Sequence, residues 1–191
     1  MSAYVAYPPE DIQFIYGEHG KPYIEGGPAF NVSHTNSLLV IAIANEEFKG
    51  EIGVDIEQWI TDVDNLKLAQ TCFSKSERDQ LNHYPTADSQ RVAFTRGWSR
   101  KEAVIKAVGT GLKTPLADFD VSLEPIEHGK PVRSLLTEST IHALPANCCQ
   151  LYDLGVRERS EISLAIYNRS KDKEDATDNY SVVVHDNSAD Q

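Results

Sequence analysis

Hydrophobic positions along the chain switch between two periods. Alternation and short apolar runs predict strands over about 12–16, 38–44 and 52–57, the last reading Ile52-Gly53-Val54-Asp55-Ile56-Glu57. Helical spacing follows over 65–72. Ser74-Lys75-Ser76-Glu77 has the capping-box pattern that opens a short helix toward Leu81. Asp88 or Ser89 is expected to cap a longer helix through Val108, stopped by Gly109-Thr110-Gly111. Within it Phe94, Trp98, Ile105 and Val108 fall on one apolar stripe, the predicted core-facing side. Strands return over 119–123, about 148–154 and 161–167. From Asn168 the chain turns polar. Tyr180-Ser181-Val182-Val183-Val184 reads as a weak edge strand in a tail otherwise expected to be disordered.

One internal echo bears on the architecture. Glu18-His19-Gly20-Lys21-Pro22 recurs letter for letter as Glu127-His128-Gly129-Lys130-Pro131. Each copy follows a strand-like stretch, and each is followed later by an apolar strand ending in Asn, at 39–45 and 163–168. Such repeats also arise by chance in Gly-Pro turns, which reuse few residue types. The matching order of elements favours a duplicated α+β half-domain.

Composition narrows the function classes. The chain has 191 residues, 40% of them apolar and 25% charged, the ordinary globular range for one domain or two small ones. Its 18 Lys plus Arg against 29 Asp plus Glu leave a net charge of −11, which argues against nucleic acid or an anionic membrane as partner. The start has neither a basic leader nor an apolar stretch, so no signal peptide is expected. The longest apolar run, 38–44, is far short of the roughly 20 residues of a membrane span. Cys72, Cys148 and Cys149 are odd in number and two are adjacent, which fits neither a disulfide framework nor zinc spacing. The reading is a cytoplasmic protein with reduced thiols.

Candidate chemistry begins at Asp55 and Glu57. On a strand they share one face, opposite Val54 and Ile56, and two adjacent carboxylates repel unless a cation sits between them. Oxygen ligation suits Mg²⁺, although Asp-x-Glu is more often a solvated strand face. Glu102 lies at the edge of the apolar stripe, where a carboxylate must be paired or bind a metal. Its blandest partner is Lys106, one helical turn on. From Arg91 to Lys113 stand six basic residues and one acid, a net of +5, which reads as a solvated helix surface or a site for a phosphorylated ligand. Asn31-Val32-Ser33-His34-Thr35 reads as a polar turn before a buried strand, with Ser33 and His34 able to hydrogen-bond phosphate. Lys21 could do the same from its Gly-Lys-Pro loop, or be an ordinary loop residue. No His-Glu-x-x-His or Gly-x-Ser-x-Gly motif is present.

Five motifs, in order, resemble those of the 4′-phosphopantetheinyl transferase superfamily in its two-lobed type. They are Gly20-Lys21-Pro22; Phe30-Asn31-Val32-Ser33-His34; Gly53-Val54-Asp55-Ile56-Glu57; Phe73-Ser74-x-x-Glu77; and the run from Trp98 through Lys101-Glu102 to Lys106-Ala107, followed by Gly109-Thr110-Gly111-Leu112. The resemblance covers about residues 12–167. It implies an α+β fold of two similar half-domains related by a pseudo-twofold, each an antiparallel sheet packed with helix. The lobes would be residues 1–57 and 58–168, with 169–191 as a tail. Because only eleven residues, none of them Lys or Arg, precede the first strand, the first lobe is expected to lack the family's basic N-terminal helical stretch.

The resemblance also implies an activity. A holo-[acyl-carrier-protein] synthase type of enzyme moves the 4′-phosphopantetheine arm of coenzyme A to a serine of an apo acyl or peptidyl carrier protein, with Mg²⁺ or Mn²⁺, releasing adenosine 3′,5′-bisphosphate. Asp55, Glu57 and Glu102 would be the metal carboxylates. Glu102 and Lys106 would be catalytic, as base and as stabiliser of the leaving group. Lys21, Ser33, His34 and Lys106 would line the coenzyme A site. The competing expectations are a catalytically impaired relative that only binds carriers, and a Mg²⁺-dependent phosphohydrolase.

Overall fold

Three antiparallel strands form the floor of the fold, in the order β5 (Glu51–Gln58), β9 (Ser160–Tyr167), β8 (Cys149–Arg157). The computed structural model describes residues 4–5, 8–45, 47–59, 64–126, 136–139, 144 and 148–168. The rest of the described chain supplies three short two-stranded sheets: β1 (Ile15–Tyr16) with β2 (Pro22–Tyr23), β3 (Phe30–His34) with β4 (Leu39–Ile43), and β6 (Phe119–Val121) with β7 (Leu136–Ser139). Helices α1 (Asn65–Cys72), α2 (Lys75–Asn82) and α3 (Ala87–Val108) lie between β5 and β6. The fold is α+β, and every strand pairing is antiparallel, as expected.

Period-two alternation gives the floor two working faces. Ile52, Val54 and Ile56 of β5 join Ile162, Leu164 and Ile166 of β9 in one apolar layer, covered by Leu38, Val40 and Ala42 of the β3–β4 region. On the other face Leu151, Ala165 and Tyr167 pack into a second core with Ala103, Val104, Ile105 and Ala107 of α3. Gly53 is the point of closest approach. A Cβ there would overlap the backbone of Ala103 and Ala107, so only glycine lets α3 settle onto β5.

Helix α3 is buried nearly all round rather than along one stripe. Its N-cap is Thr86, whose hydroxyl accepts from Ser89 N–H in a capping box with Ser89 at N3, two or three residues earlier than the Asp88 or Ser89 cap expected. Gly109 closes it in the left-handed region at φ 77°, as the Gly-Thr-Gly stop predicts. Helix α2 has the expected box, Ser74 accepting from Glu77 N–H and Glu77 Oε2 from Ser74 N–H.

The polar turn expected at 31–35 is a strand for most of its length. β3 lies beside the outer edge of β5, where Asn31 Oδ1 accepts from Val54 N–H at 2.8 Å and Ser33 Oγ from Ile56 N–H at 3.3 Å. Polar side chains thus stand where a neighbouring strand's carbonyls would be, which is why a strand can be rich in Asn and Ser here.

The first Glu-His-Gly-Lys-Pro copy forms the β1–β2 turn, closed by Gly17 N–H to Lys21 O and Gly20 N–H to Gly17 O. The second copy, the strand expected at 180–184 and the tail all lie outside the described residues. Among the described residues the three cysteines form no disulfide, and no helix is long and apolar enough to cross a membrane.

Candidate functional site

Strand β5 and helix α3 present their chemistry to each other. Asp55 and Gly53 share the face that packs on α3, and the close approach at Gly53 brings Asp55 against the last turns of that helix. Ser99 Oγ fastens the two elements by donating to the Asp55 carbonyl at 3.2 Å. Asp55 is 2% exposed; its Oδ1 accepts from Lys106 Nζ at 2.6 Å and from Ser33 Oγ at 3.1 Å. Its Oδ2 is buried with no hydrogen-bond partner among the described residues.

Lys106 therefore pairs with Asp55, not with Glu102 as the (i, i+4) spacing suggested. Its ammonium also reaches Ser33 Oγ at 3.0 Å and the Val54 carbonyl at 3.3 Å. Glu102 is left half-buried with no hydrogen bond or ion pair among the described residues. Glu57, two residues beyond Asp55, accepts from the Trp98 indole N–H at 3.2 Å.

The carboxylates feel one another. Burial first, then the Asp55 charge, pushes the Glu102 carboxyl above its usual range, with Lys106 offsetting part of this. Burial and then Asp55, with Glu102 adding, push Glu57 up to about 7 against the pull of the Trp98 bond. Burial likewise raises Asp55, opposed chiefly by Lys106. Three carboxylates and one ammonium in a partly desolvated corner leave surplus negative charge that a cation would relieve.

Among the described residues no three His, Cys, Asp or Glu side chains stand close enough to enclose an ion. The residues nonetheless fit a hard divalent cation: the donors are all oxygens, and Asp55 Oδ2 is a buried oxygen without a proton donor. Ligation requires Glu57 and Glu102 to close on Asp55.

A cleft of about 240 Å³ opens beside this corner, between the β1–β2 turn and α3. Lys21, Asn31, Glu102, Lys106, Gly109 and Gly111 are among its lining residues. Lys21 Nζ bonds Glu51 Oε2 at 2.7 Å and the Ala107 carbonyl at 3.3 Å, so it pins the turn to the C-terminal end of α3. Ser33 stands behind the cleft in the Asp55–Lys106 corner. His34, one residue on and on the opposite strand face, is exposed, its Nδ1 3.3 Å from Thr35 O, and does not line the cleft.

Half of the +5 segment is taken up by ion pairs inside the fold. Arg100 is fully buried, bonding Asp153 at 2.7 Å and the carbonyls of Ser122 and Glu124. Lys101, also fully buried, pairs with Glu77 at 2.8 Å and lies over the Phe119 ring. Arg96 pairs with Glu161 at 3.2 Å. These cations hold α3 to α2 and to the floor, and their acids were invisible in a local count. Only Lys106 of the helix cations faces the cleft. Asn31 and Trp98 are participants that residue-type reasoning passed over; the spacing of Trp98 one turn before Glu102 was the available signal.

Comparison with known proteins bears on the family of the chain. The family model of the 4′-phosphopantetheinyl transferase superfamily matches residues 51–153, just over half of the chain, from β5 through α3 into β8. A 4′-phosphopantetheinyl transferase of Nostoc sp. is 32% identical over 145 residues, covering 71% of this chain and 59% of the relative. One of Aneurinibacillus migulanus is 29% identical over 151 residues, covering 76% and 61%. One of Bacillus subtilis is 37% identical over 123 residues, covering 63% and 51%. The chain thus spans between half and three-fifths of the length of these relatives. A solved holo-[acyl-carrier-protein] synthase of Thermotoga maritima overlays with a TM-score of 0.42 at 20% identity, covering 63% of this chain and 64% of that one. By the match of its β5–α3 core to the family model, the chain belongs to the 4′-phosphopantetheinyl transferase superfamily.

Proposed function

We propose that the chain transfers the 4′-phosphopantetheine arm of coenzyme A to a serine of an apo acyl or peptidyl carrier protein, as a holo-[acyl-carrier-protein] synthase type of enzyme acting in the cytoplasm. The observation that carries this reading is the Asp55–Lys106 ion pair between β5 and α3, with Glu57 close enough to feel the Asp55 and Glu102 charges, beside a cleft that Glu102 and Lys106 line. In this reading residues 1–57 and 58–168 are two lobes, and the site lies where the last strand of the first meets the long helix of the second.

Asp55, Glu57 and Glu102 would hold Mg²⁺ or Mn²⁺, which when bound supplies neutralisation of the pyrophosphate charge. The chain's own groups do the rest. Glu102, which lines the cleft and has no hydrogen bond or ion pair among the described residues, is the base that takes the proton of the carrier serine hydroxyl, through the carboxylate oxygen not turned to the cation. The serine oxygen forms a bond to the phosphorus bearing pantetheine. The bond from that phosphorus to the oxygen of adenosine 3′,5′-bisphosphate breaks, and the bisphosphate departs with the electron pair. Lys106, released from Asp55, meets the charge developing on the leaving group. Lys21 positions the phosphates from the cleft's rim, Ser33 does so from the rear once its hydroxyl turns from Asp55, and His34 contributes only where bound coenzyme A extends onto the exposed face of β3.

Intact-mass measurement of an apo carrier protein incubated with the chain, coenzyme A and Mg²⁺ tests the reading. A gain of one phosphopantetheine, abolished by a chelator, is expected. Glu102→Gln is expected to lower the rate on the order of 10²–10⁴-fold while the chain still melts cooperatively and no earlier than wild type. Carrier binding without any mass gain overturns transfer in favour of a binding module.

A further inference from the structure

We propose that Trp98 is a positioning residue: its indole N–H orients the Glu57 carboxylate so that it completes the oxygen donor set for a divalent cation. The inference rests on the transferase reading of this corner and adds a residue to it.

The geometry begins with the helix. Trp98 and Glu102 are one turn apart on α3, so a single face delivers an indole N–H and a carboxylate toward β5. Across from them Asp55 and Glu57 share one strand face. The indole meets Glu57 Oε1 at 3.2 Å. Glu57 is half-buried beside the exposed end of β5, and its flexible side chain has several rotamers open to it.

The indole itself is fixed. Its ring stacks on Phe94 with centroids 6.2 Å apart and planes at 24°, and Phe94 stacks on the fully buried Phe73 at 5.0 Å and 26°. A run of three aromatic rings rooted in the core aims the N–H at the site. Packing alone asks for an aromatic ring at 98; it does not ask for a donor at that edge.

The chemistry of the donor matters as much as its aim. An ammonium or guanidinium on Glu57 would orient it and also neutralise it, as Lys106 does to Asp55. An indole N–H is a neutral donor with no acceptor capacity. It holds one oxygen and leaves the charge and the second oxygen available, which is how an outer partner tunes a carboxylate ligand.

Mn²⁺ titration of the chain, followed by the electron paramagnetic resonance of free Mn²⁺, needs neither coenzyme A nor carrier. Trp98→Phe retains the ring stack and removes the N–H. It is expected to weaken Mn²⁺ binding at least about tenfold without lowering the melting temperature appreciably. In a Glu57→Gln background the same change should cost no more than about twofold, because the partner it acts through is gone. If Trp98→Phe fails to melt cooperatively, Trp98→His, which keeps a ring N–H, gives the comparison in reverse: affinity near wild type supports the role. Equal losses in both backgrounds, or a loss in Trp98→His matching that of Glu57→Gln, overturn it. These outcomes stand apart from the carrier assay. Additive losses in a wild type that transfers leave the transferase reading intact, while a wild type that binds Mn²⁺ and transfers nothing overturns that reading alone.

Discussion

Lys106 and Asp55 form an ion pair at 2.6 Å that spans from the last turns of α3 to the middle of β5. The ammonium is further held by Ser33 Oγ and the Val54 carbonyl, so it sits among three oxygens much as a metal ion would. Ser33 is saturated by this arrangement, donating to Asp55 and accepting from Lys106 and from Ile56 N–H. The resting corner is thus electrostatically closed on the Asp55 side and open on the Glu102 side.

That pairing makes Lys106 a competitor for the cation as well as a catalyst. Lys106→Met removes the charge and keeps much of the stem. Mn²⁺ affinity in the absence of coenzyme A is expected to rise, because Asp55 then has only the cation as counter-charge. Phosphopantetheine transfer is expected to fall on the order of 10²–10³-fold, as when one electrostatic donor to a transition state is removed. Unchanged or weaker Mn²⁺ binding in the variant would remove the idea of competition.

Buried ion pairs hold three of the basic residues of α3, Arg96, Arg100 and Lys101. Lys101 and Glu77 are both fully buried, and Glu77 Oε1 also accepts from Val121 N–H at 2.8 Å. Removing one partner strands the other without water. Lys101→Met or Glu77→Gln alone should cost about 3–5 kcal/mol in urea unfolding, with the double variant recovering part of the loss. Single variants within experimental error of wild type would show the pair to be dispensable.

The sequence carried more of the site than of its supports. Strand β5, all three helices and the sharing of one strand face by Asp55 and Glu57 follow from period and motif, since each depends on neighbours within a turn or two; that Glu102 and Lys106 belong to the same site was implied by the family resemblance alone. What escaped depends on partners far along the chain. The acids opposing Arg96, Arg100 and Lys101 stand at 161, 153 and 77. Asn31 and Ser33 look like turn residues until the N–H groups of Val54 and Ile56 are seen to need acceptors. The Lys106–Glu102 spacing favoured a local pair, but a lysine stem reaches past its helix, and the more deeply buried Asp55 has the greater need of a counter-charge. Thr86 was overlooked as a cap because Asp88 and Ser89 are equally good capping types two and three residues on.

Gly53 tests whether the distance between β5 and α3 sets the site. A methyl group at that position would strike the Ala103 carbonyl and the Ala107 amide, both backbone atoms that cannot rotate away. Gly53→Ala must therefore push the helix off the strand, carrying Glu102 and Lys106 away from Asp55. Overpacking of this kind costs about 1–3 kcal/mol, and more where backbone has to move. The expected result is a lowered unfolding midpoint together with a loss of both Mn²⁺ affinity and transfer. A variant that is destabilised but fully active would show that the corner tolerates a wider gap.

The raised carboxylates give the unliganded protein a characteristic response to pH. Burial and the Asp55 charge push Glu57 from its ordinary 4.5 to about 7, so the folded chain holds this proton well after the unfolded chain has released it. Between those two values the folded state binds more protons than the unfolded one, and stability falls as pH rises. Asp55 and Glu102 are raised by burial as well and push in the same direction. Without divalent cation, the unfolding midpoint is expected to drop between about pH 5 and 7 and then level off. Glu57→Gln removes the titrating group while keeping an oxygen for the Trp98 indole, and should flatten the drop. Added Mg²⁺ or Mn²⁺ should flatten it too, because a bound cation relieves the repulsion that the proton relieved. Urea midpoints across that range, with chelator and with metal, check both arms. A variant whose slope matches wild type would mean that Glu57 is already ionised at pH 5 in the folded chain, and that the indole bond outweighs both burial and its charged neighbours.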